Sequence, residues 1–600
     1  MDRRTLLAGV AAIPLLPAVA RAARRTRRVR PGDAAWPSSA QWEGLNRQVG
    51  GNLTRPAPLA ADCAAAPASS ACEALVKNLR NPFYIGDQAS GTQVSGWFNA
   101  WTPAPSAYAV AARNADDVAA AINFARAHSL RLVVKGGGHS YQGTSNLADS
   151  LLIWTRGMNA VTLREAFVAK GCEGVQAPCP AVTLGAGAMW IDAYDAVTTK
   201  AGRYVQGGGC TSVGVAGLVQ SGGFGSYSKA FGTAAASLLE AQVVTADGQV
   251  RTVNACSHPD LFWGLKGGGG GSLGVVTSLT LRTHDLPPRF GGMDAKIRAM
   301  SDGAFQRLVS RFLGFYAEAL CNPHWGEQVT VGPGNTLKFS LVNQGLEKAE
   351  QEAIWAPFVD FVRASPEDFT IVDAPDFGAG PSVVWWDVQA RLRRGSPAMI
   401  ADKRPGAPAH HGWWDGDQDQ VGAFLHGYDS LWLPASLLAP DRREALAAAL
   451  VAASRHMAVG LHFNKGLFGA PQEALATTRA TATNPEVLGA FALAIIATGG
   501  PPQYPGLPAN ALARLGPALA KANAAAVDAA AAALRQVAPR AGSYVSESNY
   551  FNADWRRAFW GANYPRLLAV KAKYDAGGLF TVHHGVGSED WSDDGFARIA

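Results

Sequence analysis

Six hundred residues exceed what a single hydrophobic core organises, so two domains are expected. The 48% apolar content is ordinary for a globular protein, and no apolar run reaches a membrane-spanning length. The net charge of +6 is matched by Arg21, Arg24, Arg25, Arg27, Arg28 and Arg30; without them the chain is near neutral. That tract reads as a processed or disordered leader. No basic patch interleaved with aromatics occurs elsewhere, which argues against nucleic-acid binding.

The N-terminus reads Met1-Asp2-Arg3-Arg4-Thr5-Leu6-Leu7, followed by apolar residues to Val19 and then Ala20-Arg21-Ala22. A charged n-region, an apolar h-region and a small-x-small site make 1–22 an expected signal peptide, and the mature chain periplasmic or extracellular. Arg3-Arg4 points to the twin-arginine route, with a Sec signal or a chance pair as alternatives. Residues 23–75 read as a loosely structured N-terminal arm. Seven cysteines fit an oxidising compartment. Cys63 and Cys72 are one pair able to close a small loop, and Cys172 and Cys179 another, although spacing does not fix connectivity. No CxxC occurs, which argues against structural zinc.

From Ala107 the pattern becomes α/β. Tyr108-Ala109-Val110-Ala111 reads as a strand, and Asn114 as the cap of a helix through Ile122. Leu132-Val133-Val134 is a β-rich run feeding the loop Lys135-Gly136-Gly137-Gly138-His139-Ser140-Tyr141-Gln142-Gly143. Ser150–Trp154 is a further apolar run, and 188–200 reads as a helix. It leads to a second glycine loop, Gly207-Gly208-Gly209-Cys210-Thr211-Ser212-Val213-Gly214, continuing through Gly217 to Ser221-Gly222-Gly223-Phe224-Gly225. Leu239–Thr245 and Gln249–Val253 form a hairpin around Asp247-Gly248. Pro259-Asp260-Leu261-Phe262-Trp263 precedes the five glycines Gly267 to Gly271, and Ser272–Thr277 closes the unit.

Glycine lets backbone N–H groups approach a phosphate closely and adopt positive φ. A His in one such loop and a Cys in the other, 71 positions on, are two side chains able to bond a cofactor ring. With these features the chain resembles the flavin-linked oxidases of the vanillyl-alcohol-oxidase and berberine-bridge-enzyme type. The resemblance covers roughly 100–286 and resumes at Tyr544-Val545-Ser546-Glu547, Trp560-Gly561-Ala562-Asn563 and Lys573-Tyr574-Asp575. Ser546 stands where many relatives carry Asn, and Ala576 where Pro is common.

The resemblance implies an α+β protein. A two-part FAD-binding domain of the PCMH type would cover 76–286. A substrate domain with an antiparallel sheet flanked by helices would cover 287–540, and a C-terminal segment, 541–600, would return to the FAD domain. Pro287-Pro288 marks the boundary, and an alanine-rich helix runs from Ala509 to about Val537. The resemblance also implies FAD joined at its 8α-methyl to His139 and at C6 to Cys210, leaving Cys256 and Cys321 free. Lys135, Gly136, Gly137, Gly138, Ser140, Gly143, Val213, Gly214, Gly217, Gly222, Gly223, Gly225, Gly274, Val276 and Asn563 would complete the cofactor site.

The implied activity is oxidation of a hydroxyl on a sugar or other alcohol to a carbonyl or lactone, with O2 reduced to H2O2. Val213, a small residue three positions after the Cys, matches the oxidases. The alternatives are a dehydrogenase using another acceptor and a flavin-free binding protein. A base must take the hydroxyl proton, and Tyr544 or Glu547 is the candidate. A phenol titrates near pH ~10 and needs cationic help, which Lys465 could supply. His462 and Asn464 alternate on a strand-like run and could both face a cavity. No metal is expected: the neighbours His410-His411 and His583-His584 would face opposite ways on a strand. Trp385-Trp386 and Trp413-Trp414 tilt the substrate towards sugars or aromatics.

Overall fold

The computed structural model describes residues 27–508 and 516–599. The expected signal peptide lies outside the described residues, as does the start of the alanine-rich helix, which runs over Pro517–Arg535. Among the described residues no helix is long and apolar enough to cross a membrane.

The FAD-domain half is built from two sheets. In the first, Tyr108–Ala111, Ser150–Trp154 and Arg131–Lys135 pair in parallel. The helix Ala115–Ala127 crosses between them, with Asn114 Oδ1 accepting the Asp117 N–H at 2.9 Å as its N-cap. The second sheet is antiparallel and six-stranded. Its long Val275–Asp285 strand lies between Cys179–Gly185 and Leu238–Val244, and the predicted hairpin pairs Leu238–Val244 with Val250–Asn254.

The chain crosses Pro287-Pro288 into a seven-stranded antiparallel sheet. Its strands are Arg289–Ala299, Trp325–Gly332, Thr336–Gln344, Phe369–Pro381, Phe424–Pro434, Val459–His462 and Ala490–Gly500. Inward residues such as Val329, Phe339 and Leu461 share one buried cluster with Leu308, Phe312, Phe358, Leu446 and Val527 from four helices. This is the expected helix-flanked sheet: every second strand residue faces the core, and the helices cover it. The last segment returns to the FAD half. Trp560 and Leu567 join the core of Trp263 and Leu265, and Trp560 Nε1 donates to Gly267 O at 3.0 Å.

Four expectations need correction. Residues 23–75 are not a loose arm where described. Ser39–Gln48 is a helix whose Trp42 stacks on Tyr108 at 3.8 Å, and Leu53–Thr54 extends the first sheet. The arginine tract is not a free leader throughout: buried Arg28 donates to Gly578 O and Gly595 O and lies 4.0 Å over Trp591. The cysteine pairs are Cys63–Cys72 and Cys172–Cys256, so Cys256 is bonded while Cys179 and Cys321 are free. The Val161–Phe167 and Val250–Asn254 strands are opposite edges of the six-stranded sheet, and the loop after the first carries Cys172 to the end of the second, where Asn254 Nδ2 donates to Lys170 O at 2.9 Å. Finally, 287–540 is not one unit. Trp386, Val388, Met399 and Trp413 pack into the core of the FAD half.

Candidate functional site

The two glycine loops meet. A Cβ on Gly137 would stand 3.2 Å from both Gly214 N and Ser212 O, so a side chain there would push the two loops a few tenths of an ångström apart. The Cys210 loop is pinned from behind by Trp190 N–H to Val213 O (3.0 Å) and Ile191 N–H to Thr211 O (2.8 Å). At Gly207 a Cβ would fall 2.2 Å from the buried Trp190 ring. His139 Nε2 and Ser212 Oγ lie 3.2 Å apart across the junction. Burial lowers the His139 pKa to about 4 despite an opposing interaction with the Ser212 backbone, so the imidazole is neutral and nucleophilic at ordinary pH.

Both loops open on one long cavity. Leu132, Val133, Gly269–Gly271, Gly274, Val276, Trp560, Phe580 and His583 line it, together with Gly136, Gly137, Gly138, His139, Ser140, Val213, Gly214 and Gly217. Cys210, Tyr141, Gln420, Lys465, Tyr544, Ser546 and Glu547 line it as well. A cradle without Cβ atoms, apolar side chains and nucleophiles at the loop junction fit a dinucleotide flavin.

Six expected cofactor residues play other parts. Gly143, Gly222, Gly223, Gly225 and Asn563 do not line the cavity. Gly143 packs on Trp101, Gly222 on Thr483, Gly223 on Leu218 and Gly225 on the Gly207 carbonyl, while Asn563 donates to Thr483 O at 3.0 Å. Lys135 lines the cavity but spends its ammonium on the carbonyls of Gln88, Ala89 and Gly91 at 2.5–3.0 Å. Burial lowers its pKa to about 7, with Asp87 opposing.

The expected catalytic group divides. Lys465 Nζ pairs with Glu547 Oε2 at 2.5 Å, both facing the cavity. Lys465 is therefore spent on Glu547. Burial and the Glu547 charge push the Tyr544 phenol up, the opposite of what a base needs, and its ring meets Phe224 edge-on at 5.0 Å. His462 ends its strand and does not line the cavity. Burial holds it well below the usual histidine range. The strand stops there, Phe463–Lys465 forms a 3₁₀ turn, and Asn464 turns to Gly225 O at 3.3 Å.

Three side chains escaped the sequence reading. Asp417 Oδ1 accepts from Cys210 Sγ at 3.2 Å. Gln420 accepts from Tyr141 Oη at 2.8 Å. Glu327, at φ +65° in a strand, accepts from Ser226 Oγ, and burial pushes its carboxyl up. No local pattern announces Glu327. Asp417 had a faint signal, an Asp-Gly-Asp-Gln-Asp-Gln run directly after Trp413-Trp414.

The tryptophan pairs are mostly core: Trp386 and Trp413 are buried, and Trp386 stacks on Tyr194 at 4.1 Å. The two adjacent histidines do converge, because they sit in a loop ahead of the strand Gly412–Trp414. His410 Nε2 and His411 Nε2 lie 3.0 and 3.1 Å from Asp192 Oδ1. Burial would raise the Asp192 pKa, but both histidines and the Met189 N–H hold it well below the carboxylate range. Two N–H···O bonds account for this geometry.

A glycine-cradled cavity with a His and a Cys at the junction of its loops, set between a two-part domain and an antiparallel substrate sheet, defines a flavin-dependent oxidoreductase. Comparison agrees. Residues 105–254 match the FAD binding domain and 528–587 the berberine and berberine-like domain. The VAO-type flavoprotein oxidase VAO615 of Thermothelomyces thermophilus is 28% identical over 95% of both chains. The FAD-linked oxidoreductase ZEB1 of Gibberella zeae is 29% identical over 94% of this chain and 93% of its own. The crystal structure of MtVAO615 from Myceliophthora thermophila C1 superposes with TM-score 0.77 at 26% identity, over 96% of this chain and all of that one. Glucooligosaccharide oxidase from Acremonium strictum, described with a 6-S-cysteinyl, 8α-N1-histidyl FAD, shares the fold with TM-score 0.60 at 18% identity, over 82% of this chain and 94% of that one. The chain is an FAD-linked oxidoreductase, similar over nearly its whole length to flavoproteins of the vanillyl-alcohol-oxidase and berberine-bridge type.

Proposed function

We propose that this chain is an exported oxidase that converts a hydroxyl of a sugar or other small alcohol to a carbonyl or lactone, with O2 as acceptor. FAD would be joined to both His139 and Cys210. The observation carrying this reading is the contact between the two loops, with a neutral His139 and Cys210 on one cavity that also holds the Lys465–Glu547 pair. FAD, when bound, supplies the hydride acceptor. Glu547 takes the substrate hydroxyl proton, and the Lys465 ammonium orients its carboxylate. Tyr544 positions Glu547, whose N–H donates to Tyr544 O at 2.9 Å. Tyr141, anchored by Gln420, is a polar ring for the substrate to meet.

Two disulfides support an oxidising destination. Replacing Arg3 and Arg4 by Lys should trap folded, flavin-loaded protein inside the cell; normal secretion would speak against the twin-arginine route. Acid-precipitated protein should stay yellow and a tryptic digest should show one FAD bridging two peptides, while Cys210→Ala keeps the His139 bond only. Colourless precipitate would sink the covalent reading. Oxygen uptake across sugars and aromatic alcohols, set beside turnover on an artificial acceptor, tests the oxidase assignment and narrows the substrate.

A further inference from the structure

The segment Gly412–Gln420 arrives from the substrate half and lies across the Cys210 loop. Thr211 Oγ1 donates to Gly412 O at 2.6 Å, Trp414 Nε1 to Gly209 O at 3.2 Å, and Cys210 Sγ to Asp417 Oδ1 at 3.2 Å. Three hydrogen bonds to the consecutive residues Gly209, Cys210 and Thr211, from 201 to 207 positions away in the chain, fix Asp417 against one sulfur. The other carboxyl oxygen, Oδ2, is buried and has no hydrogen-bond partner among the described residues.

We propose that Asp417 is the base that removes the Cys210 thiol proton when this cysteine is joined to the flavin. The inference rests on the two-point attachment proposed above. The thiolate, not the thiol, is the nucleophile. Burial and the Asp417 charge push the Cys210 thiol well above its usual range, with Lys465 the opposing cation, so the thiol needs a proton acceptor in contact. Asp417 is in contact. Burial also raises its carboxyl to about 6, which makes it a stronger proton acceptor than an ordinary carboxylate.

The other candidates are engaged elsewhere. Glu547 is paired with Lys465, Glu327 accepts from Ser226 Oγ, the Tyr141 and Tyr544 phenols are pushed up by burial, and His139 faces Ser212. In the step itself, the S–H proton passes to Asp417 and the sulfur forms a bond to ring C6. The C6 hydrogen leaves as a proton, and the two electrons pass through the ring to O2. One thiol, one ring C–H and one O2 become a thioether and one H2O2. His139 makes no hydrogen bond to this segment, so its own attachment does not need Asp417.

The test compares wild type with Asp417→Asn by peptide mass spectrometry, after both proteins have been loaded with FAD in air. Wild type should carry FAD bridging the His139 and Cys210 peptides. Asp417→Asn should carry it on His139 alone, with attachment at Cys210 slowed by about 10² or more. Its residual attachment should climb about tenfold per pH unit, because the thiol must then ionise into solvent. His139-bound flavin and the thermal midpoint should match the wild type, which shows that the variant folds. A Cys210 bond at wild-type level in Asp417→Asn overturns the proposal, as does loss of both bonds with a fallen midpoint. A wild type without any Cys210 bond overturns the two-point attachment and this inference together; a normal wild type with an unaffected variant overturns this inference alone.

Discussion

Opening the Cys172–Cys256 disulfide gives a quantitative check on the fold. The bond spans 84 residues and Cys63–Cys72 spans 9. The chain-entropy relation assigns about 4.6 kcal/mol to the first loop and about 2.6 to the second at 25 °C. Cys172→Ser with Cys256→Ser should therefore lower unfolding free energy about 2 kcal/mol more than Cys63→Ser with Cys72→Ser. For a unit of FAD-domain size each kcal/mol moves the midpoint by roughly 2–4 °C. Denaturant titration of the oxidised proteins, with free thiols counted beforehand, measures both losses. Cys179→Ser should be nearly neutral, since this cysteine is free. If Cys179→Ser destabilises while Cys256→Ser does not, the short 172–179 loop is the true one and the strand-end geometry is wrong.

Glu547→Gln should slow flavin reduction by about 10² to 10⁴-fold and leave reoxidation by O2 nearly untouched, as rapid mixing of the two half-reactions will show. Tyr544→Phe should retain most of the reductive rate; a loss equal to that of Glu547→Gln would return the phenol to the role of base. Stability should fall with acid through His284, whose pKa burial lowers to about 4. Between pH ~6.5 and about 4 the unfolded chain binds a proton there that the native chain does not, so stability rises with pH in that window. His284→Gln should flatten that limb of a pH–denaturation curve. Asp417 works the other way. Its raised pKa makes the native state bind the extra proton between pH ~3.8 and about 6, so its contribution to stability falls as pH rises. Asp417→Asn should then be no less stable than wild type at pH 8 by thermal melt.

Local chemistry carried a good deal of this protein into view. The Asn114 cap, the Asp247-Gly248 turn, the three β-rich runs and the two glycine loops are dictated by residues within a few positions of one another, and each forms where expected. Lys465, Tyr544 and Glu547 could likewise be named from short segments, and all three reach the cavity. What the chain could not disclose one segment at a time is proximity across hundreds of positions. The Cys256 partner of Cys172 depends on where two strands end, and the docking of 386–413 on the FAD half depends on which apolar faces remain to be covered. His410 and His411 meet on Asp192 because they lie in a loop, where the alternation of a strand does not apply. Whether Tyr544 or Glu547 receives Lys465 was likewise a matter of packing: charge finds the nearest desolvated partner, and folding puts the carboxylate there. Asp417 beside Cys210 is the extreme case, a contact across 207 positions that neither local segment foretells.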